Sequence, residues 1–253
     1  MSAPPGDDML GRGLRLLTVL ADLPAGAGVS AIARQARLPV SSAHRLLGRL
    51  AAEGFVSYDE DARRYALGVR VLELARGFQR TGAGWAGASA PLSRLASRTG
   101  LPAIAGVLDG KDVLLVLTAE GTQHLQLRSA EGTRNLWHAT SLGKVLAAAL
   151  PDVDREALLA AGLPTVTPRT CVDADTLREQ LAQVRARGWA EVDEENEIGV
   201  RSVAVTVPGA GADGRPRLAV SLGAAVALTS QEELRAHVPA LQACASDIAA
   251  RLS

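Results

Sequence analysis

Hydroxyl and basic side chains recur through residues 41–49 at the spacing of one helix face: Ser41, Ser42, His44, Arg45 and Arg49. On a helical wheel, Ser41 and Arg45 lie opposite an apolar stripe, and the other three flank them. Hydroxyls and amides at the start of a helix can bind phosphates, and an arginine can donate two hydrogen bonds to guanine or to a phosphate. This face therefore predicts contact with the phosphates and bases of double-stranded DNA.

The elements around this face predict a helix-turn-helix. An amphipathic helix is predicted over residues 9–23, and a short second helix runs from an N-cap at Ser30 through Ala36. Leu38-Pro39 forms the turn, and a third helix continues to about Glu53. Its apolar stripe falls within ~100° of arc and consists of Ala43, Leu46, Leu47 and Leu50.

Two short strands, at residues 56–58 and 64–67, flank a polar turn and predict a wing. Arg63 and Arg64 at this wing could reach a neighbouring backbone or minor groove. An ordinary amphipathic helix with solvated Arg45 and Arg49 is the alternative, but the three-helix order, the turn and the wing favour DNA binding. We therefore predict a disordered tail at 1–8 and a winged helix-turn-helix at 9–68.

The rest of the chain predicts a second, α+β domain at 89–253, reached through a linker helix and joint at 69–88. Asp109-Gly110 predicts a hairpin between strands at 102–108 and 113–117. Further strands are predicted at 124–128, 203–207 and 218–222. Helices are predicted at residues 90–99, 142–150, 154–161, 174–188 and 230–252.

Composition limits the class of protein. The chain has 253 residues, 47% hydrophobic and 21% charged, with no net charge. Residues 1–80 carry eleven Arg against eight acidic residues, and residues 81–253 carry sixteen basic against nineteen acidic residues. This charge distribution suits a basic, DNA-binding N-terminal domain followed by an acidic C-terminal domain. The lack of a signal peptide, of an apolar run of ~18 residues and of more than two cysteines predicts a reduced, cytoplasmic protein without membrane contact.

The whole chain, over residues 9–252, resembles the IclR family of bacterial transcriptional regulators. The N-terminal motif reads Leu38-Pro39-x-Ser41-Ser42-x-His44-Arg45-Leu46-Leu47, Leu50-x-x-x-Gly54-Phe55-Val56 and Tyr65-x-Leu67-Gly68. The C-terminal motifs are His138–Lys144 and the segment Arg187–Ala204. Val40 stands where the family often carries a basic residue, so one phosphate contact is expected to be missing.

The resemblance implies a GAF-like domain that binds a small organic effector, a carboxylate or an aromatic compound. It implies a site formed by Thr140, Ser141, Leu142, Gly143, Asp193, Glu197, Ser202 and Ser221. Val203, Val205 and Leu222 are expected to exclude water from it. Ser202 replaces a usual Cys and Gly223 a frequent Ser, so we expect a ligand different from the small keto acids that some relatives sense.

The acidic run at 193–197 could bind a metal or act in acid–base chemistry, but no ligand spacing accompanies it, and we interpret it as a solvated cluster. Cys171 has no recognisable base partner. We therefore expect no cofactor, no metal and no catalysis. The prediction is a dimeric or tetrameric, ligand-responsive repressor of a catabolic or transport operon that binds a palindromic or near-palindromic operator. A small-molecule enzyme and a protein-interaction module with a winged-helix docking domain remain the alternatives.

Overall fold

The computed structural model describes residues 8–80, 85–122, 130–209 and 218–252, and their side chains except those of residues 78–80 and 86. The chain divides into two compact units, residues 1–84 and 85–253. This division falls inside the segment 69–88 that the sequence analysis assigned to the joint. The predicted strand at 124–128, and the predicted tail apart from Asp8, lie outside the described residues.

Three helices and a two-stranded ribbon make up most of the first unit. The elements are α1 (Met9–Ala21), α2 (Val29–Gln35), α3 (Val40–Ala52), β1 (Val56–Asp59), β2 (Arg64–Leu67) and α4 (Arg70–Arg80). One core packs α1–α3 and the two strands together, and Leu16, Leu20, Ile32 and Leu47 are fully buried in it. Helices followed by an antiparallel ribbon form the predicted winged helix-turn-helix.

The predicted N-cap of α2 is wrong. Gly28 occupies the cap position, and Ser30 is an exposed residue in the first turn. The cause is long-range, because Ala27 exchanges two backbone hydrogen bonds with Tyr65 of β2, at 2.9 and 2.8 Å. This pairing keeps the chain extended up to Gly28, so the helix begins directly after it.

The second unit is built on one six-stranded antiparallel sheet with the strand order β5-β4-β3-β8-β7-β6. Its strands are β3 (Ala103–Asp109), β4 (Asp112–Ala119), β5 (Arg134–Leu136), β6 (Trp189–Asp193), β7 (Val200–Thr206) and β8 (Leu218–Ala225). Its helices are α5 (Ala86–Thr99), α6 (Ser141–Ala148), α7 (Asp152–Ala160), α8 (Ala174–Arg187), α9 (Gln231–Arg235) and α10 (Val238–Leu252). The strands β5 and β6 were not predicted from the sequence.

Helices cover both faces of this sheet. α5 and α10 pack on one face around Leu92, Leu241 and Ile248. α6 and α8 pack on the other around Trp137, Leu146 and Leu181. The predicted α+β architecture is therefore present in a form with two separate cores.

The predicted closing helix at 230–252 is two helices. Ser230 caps α9 in a reciprocal arrangement with Glu233, and the helix ends at Arg235. Pro239 has no N–H group and its ring would clash inside a continuous helix. The chain therefore begins a new helix at Val238, with Pro239 in its first turn.

Candidate nucleic-acid interface and ligand cavity

Helix α3 presents the predicted polar face to solvent because its opposite face is buried in the first core. Ala43, Leu46 and Leu47 are buried, and Leu50 is half-buried. Four of the predicted DNA-contacting residues on this helix are therefore exposed: Ser41, His44, Arg45 and Arg49. The fifth, Ser42, is half-buried. The turn before the helix is tight, with Arg37 in the left-handed region at φ 55°.

The ribbon of β1 and β2 is the predicted wing, and the bridge from Tyr65 to Ala27 places it next to the start of α2. β1 pairs with β2 from Val56 opposite Leu67 to Asp59 opposite Arg64, and the Asp59 carboxylate accepts a hydrogen bond from the Ala62 N–H group at 2.9 Å. Arg63 lies in the left-handed region at φ 52°. Together with the bridge from Ala27 to Tyr65, this geometry fixes where the wing arginines project.

A shallow surface depression joins α3 to the wing. His44 of α3 and Arg63 of the wing both line it, together with Tyr58, Tyr65 and residues 28–31. Two residues predicted from separate sequence segments therefore share one surface. Tyr58 was not predicted as part of this surface; its ring lies 4.6 Å from that of Tyr65 and is exposed.

The two remaining predicted arginines each touch a neighbouring group. Arg49 donates from Nη1 to the Met9 sulfur at 3.3 Å, and Arg64 donates from Nη1 to the Ala25 carbonyl oxygen at 3.4 Å. Both side chains are exposed. These single neutral contacts leave each guanidinium group with further donors for phosphate oxygens.

A cavity of about 440 Å³ lies in the second unit, between the sheet and the start of α6. The pairing register of the strands determines which side chains form the sheet side of the cavity. Ser202 of β7 stands between Val192 of β6 and Gly223 of β8, and Ser221 pairs with Ile104 of β3. Since alternate residues of a strand share a face, these side chains point to the same side.

Most of the predicted effector-site residues line this cavity. They are Thr140, Ser141, Leu142, Glu197, Ser202 and Ser221. The rest of the lining is Pro102, Ile104, Leu115, Asn135, Val192, Asn196, Val200 and Gly223. Asn135 and Asn196 are side-chain amides that the sequence analysis missed; Asn196 lies within the acidic motif, but no sequence signal marked Asn135.

Two of the predicted effector-site residues are absent from this lining. Asp193 follows Val192 in β6 and so points to the opposite face, where it pairs with Arg169 at 2.8 Å and Arg201 at 3.0 Å. Gly143 packs against Trp137, whose carbonyl oxygen would lie 2.1 Å from an added Cβ. The expectation for Val203, Val205 and Leu222 is also wrong, because these side chains belong to the core on the other face of the sheet.

The cavity combines hydroxyl and amide groups with apolar walls. Ser141 Oγ and Ser202 Oγ are 2.7 Å apart and connect α6 to β7. Thr140 caps α6 by accepting a hydrogen bond from the Gly143 N–H group at 3.1 Å. Glu197, which is exposed, is the ionisable side chain among the described lining residues. The site can therefore hold a small molecule by hydrogen bonds and apolar contact.

The acidic run is not the solvated cluster that we expected. Glu195 is 9% exposed and accepts hydrogen bonds from Lys144 Nζ at 2.6 and 2.8 Å. Lys144 is 2% exposed and also donates to Gln180 Oε1 at 2.8 Å. Glu194 pairs with Arg169 at 3.1 Å and accepts from the Gly199 N–H group at 2.8 Å.

His138 lies buried beside this region, with 1% exposure. Its Nε2 is 3.0 Å from the Pro164 carbonyl oxygen, and its Nδ1 has no hydrogen-bond partner among the described residues. A carbonyl only accepts, so Nε2 carries the proton of the neutral ring. Burial lowers the pKa of His138, and the Lys144 charge lowers it further, against the opposing effects of the Pro164 carbonyl and of Glu195.

The described part of the chain holds neither a metal-binding cluster nor a membrane-spanning helix. There, no three or more His, Cys, Asp or Glu side chains are grouped so that they could hold a metal ion. No helix of that part is both long and apolar enough to cross a membrane.

Both units match known protein families. Residues 9–60 match the IclR helix-turn-helix domain, and residues 85–250 match the C-terminal domain described as bacterial transcriptional regulator IclR C-terminal. The chain is 32% identical over 203 residues to the HTH-type transcriptional regulator XynR of Escherichia coli, covering 78% of each chain. It is 30% identical over 201 residues to the transcriptional repressor IclR of the same organism, covering 78% of this chain and 73% of that one.

A solved structure matches both units. It is an IclR homolog of Microbacterium hydrocarbonoxydans complexed with 4-hydroxybenzoate, with a TM-score of 0.83, 27% identity, and coverage of 97% of this chain and 99% of that one. The matched family consists of transcriptional regulators with a DNA-binding helix-turn-helix and an effector-binding domain, not of enzymes, which confirms the predicted class. The chain belongs to the IclR family of bacterial transcriptional regulators.

Proposed function

We propose that this regulator is a ligand-responsive repressor of a catabolic or transport operon, acting as a dimer or a dimer of dimers on a palindromic or near-palindromic operator. The observation that carries the proposal is the set of hydroxyl, amide and apolar groups, with the Glu197 carboxylate, around the 440 Å³ cavity, in a chain that also presents a basic helix face. A two-fold axis between identical chains would repeat the half-site on the DNA. The relative named as a transcriptional repressor supports the repressor role.

For the DNA side, we propose that Ser41, Ser42, His44, Arg45 and Arg49 of α3 contact one half-site. Arg63 and Arg64 of the wing would contact the neighbouring backbone or minor groove. The exposure of the α3 face and the shared depression between His44 and Arg63 support this assignment. Arg45 is assigned the central base contact because it lies opposite the buried stripe.

For the effector side, we propose a small organic molecule with an aromatic ring or a carboxylate. Leu115, Leu142, Val192 and Val200 supply apolar walls for a ring, while Asn135 and Asn196 supply amide donors and acceptors. The 4-hydroxybenzoate bound to the Microbacterium relative supports this class. The effector would change DNA binding by favouring one arrangement of the DNA-binding units over another.

Replacement of Arg45 tests the DNA contact. Arg45→Ala should weaken binding to an operator selected from the intergenic DNA beside the gene by about tenfold or more, since one bidentate base contact contributes about 1–3 kcal/mol. Arg98→Ala, an exposed arginine of α5 in the other unit, removes the same charge and is the matched control. Gel-shift titration measures both, and equal affinity of the Arg45 variant and the wild type would reject α3 as the recognition helix.

Salt dependence separates DNA binding from a docking role of the winged helix. The observed affinity for the operator should fall steeply with salt concentration, with a slope that corresponds to several phosphate contacts. A protein-interaction module would show no salt-dependent affinity for duplex DNA of any sequence. Fluorescence anisotropy with an operator and a scrambled duplex distinguishes the two.

Thermal unfolding in the presence of candidate compounds tests the cavity. A compound at about 100 times its dissociation constant should stabilise the second unit by about 2.7 kcal/mol. Val200→Phe partly fills the cavity and should abolish the shift. A compound that stabilises both proteins equally binds elsewhere.

A further inference from the structure

A buried ion pair in the second unit connects two parts of the cavity wall without lining the cavity itself. Lys144 lies on α6, one turn after Ser141, whose side chain lines the cavity. Glu195 directly precedes Asn196 and Glu197, which line the cavity from the loop between β6 and β7. The pair therefore joins the helix side of the wall to the loop 194–199 between β6 and β7.

The geometry of the pair is tight. Lys144 Nζ lies 2.6 and 2.8 Å from the two carboxylate oxygens of Glu195 and 2.8 Å from Gln180 Oε1, so its three donors have three acceptors. Both side chains are almost fully buried. A buried charge that loses its partner is strongly destabilised, so this pair tolerates little separation.

The loop that Glu195 belongs to makes few apolar contacts of its own. Ile198 at its tip is 70% exposed. Polar bonds hold the first part of the loop instead, since Thr167 Oγ1 donates to the Glu194 carbonyl at 2.6 Å and Thr170 Oγ1 to the Glu195 carbonyl at 2.7 Å. These threonines lie in a loop themselves, whereas Lys144 connects the segment to a helix.

We propose that Lys144 and Glu195 are positioning residues: they hold the loop 194–199 against α6 and so place Asn196 and Glu197 at the effector. The inference rests on the proposed role of the cavity as the effector site. The pair acts through the loop and makes no contact with the ligand. Loss of the pair releases the loop, because an unpaired Glu195 carboxylate moves towards water and takes the neighbouring residues with it.

Amide hydrogen exchange of the full-length protein tests this without a ligand. In Lys144→Met, exchange of the Gly199 and Val200 amides should become about tenfold faster or more, because these N–H groups donate to Glu194 Oε1 and to the Glu197 carbonyl within the loop. Exchange in β3 and β8 should stay as in the wild type. This local pattern is not what a general loss of stability would produce.

Three further variants complete the test. Lys144→Arg keeps a cation and should restore slow exchange in the loop. Arg178→Met removes an arginine paired with Glu156 and Asp175 at the surface of the same unit, and should leave the loop unchanged. Glu195→Gln changes the shape little but leaves the Lys144 ammonium buried without a counter-charge. It should therefore also separate the two side chains and accelerate loop exchange, which keeps the proposal testable if Lys144→Met does not fold.

The proposal is overturned if Gly199 exchanges within about twofold of the wild-type rate in Lys144→Met, or in Glu195→Gln where the first variant does not fold. It is equally overturned if β3 and β8 accelerate as much as the loop, since the pair is then a general stabilising contact. Failure of the cavity to bind any effector would leave these exchange rates untouched. The two proposals therefore fail separately.

Discussion

At the scale of single residues, the direction of a side chain decides its role more than its chemical type does. Asp193 has the chemistry of a ligand-binding residue, but it points away from the cavity, and apolar Val192 lines it instead. Glu195 has the chemistry of a solvated acid, yet it is buried against Lys144. Side chains at adjacent strand positions point to opposite faces of the sheet. A step of one residue along β6 therefore leads from Val192, which lines the cavity, to Asp193, which points away from it.

The buried histidine predicts a dependence of stability on pH. Because the pKa of His138 is lowered in the folded state, the unfolded chain binds the proton at higher pH than the folded chain does. The free energy of unfolding should therefore fall as the pH drops below 6.5, the ordinary histidine value. Well above that value the ring is neutral in both states and its contribution is constant.

Urea unfolding between about pH 5 and pH 8 measures this effect. In His138→Gln the side chain can still donate to the Pro164 carbonyl but cannot titrate, so stability should depend less on pH in this interval. Parallel curves for the variant and the wild type would show that other groups cause the dependence.

At the scale of elements, α6 depends on a close approach to the turn before it. A Cβ on Gly143 would lie 2.1 Å from the Trp137 carbonyl oxygen and 2.4 Å from its Cα, so only glycine fits. This approach fixes the start of the helix, where Thr140, Ser141 and Leu142 line the cavity. The glycine therefore shapes the site without being part of it.

Two glycine replacements in helices should have opposite effects on stability. Gly143→Ala should destabilise the second unit by about 1–3 kcal/mol, because backbone must move to relieve the clash. Gly48→Ala in α3 has open space around the added Cβ and should stabilise the first unit by about 0.5–1 kcal/mol. Chemical unfolding of both variants measures the contrast, and a neutral Gly143→Ala would mean that the turn adapts.

At the scale of the whole molecule, the two units have separate hydrophobic cores. The core of the first contains residues of α1–α3 and of the ribbon, and the two cores of the second lie on either face of its sheet. The chain has no net charge, so its attraction to DNA must come from the distribution of its arginines. The three-residue excess of arginine over acids in residues 1–80 is consistent with that.

Because the second unit has its own cores, the fragment 85–253 should fold alone. We expect a cooperative unfolding transition for this fragment and the same stabilisation by an effector as in the full chain. Circular dichroism and thermal unfolding check both. A fragment without a cooperative transition would show that the second unit depends on the first.

Local patterns in the sequence were sufficient to predict most helices, the hairpin of β3 and β4, and the wing. The polar face of α3 follows from the spacing of Ala43, Leu46 and Leu47 alone, because a helix has a fixed period. The capping residue of α2 could not be predicted this way, since the pairing of Ala27 with Tyr65 sets it. β5 has only three residues, and β6 directly follows Gly188 at the end of α8, so neither gave a clear strand signal.

The sequence by itself therefore determined the family, the two-domain order and the residues of the exposed polar face of α3, all of which depend on short-range spacing and motifs. The tertiary structure alone decided which side chains surround the cavity and which acids are buried. The register of β6, β7 and β8 aligns Val192, Ser202 and Gly223, and the pairing of Lys144 with Glu195 spans 51 positions. Contacts of this kind arise from packing between distant segments, and no local periodicity records them.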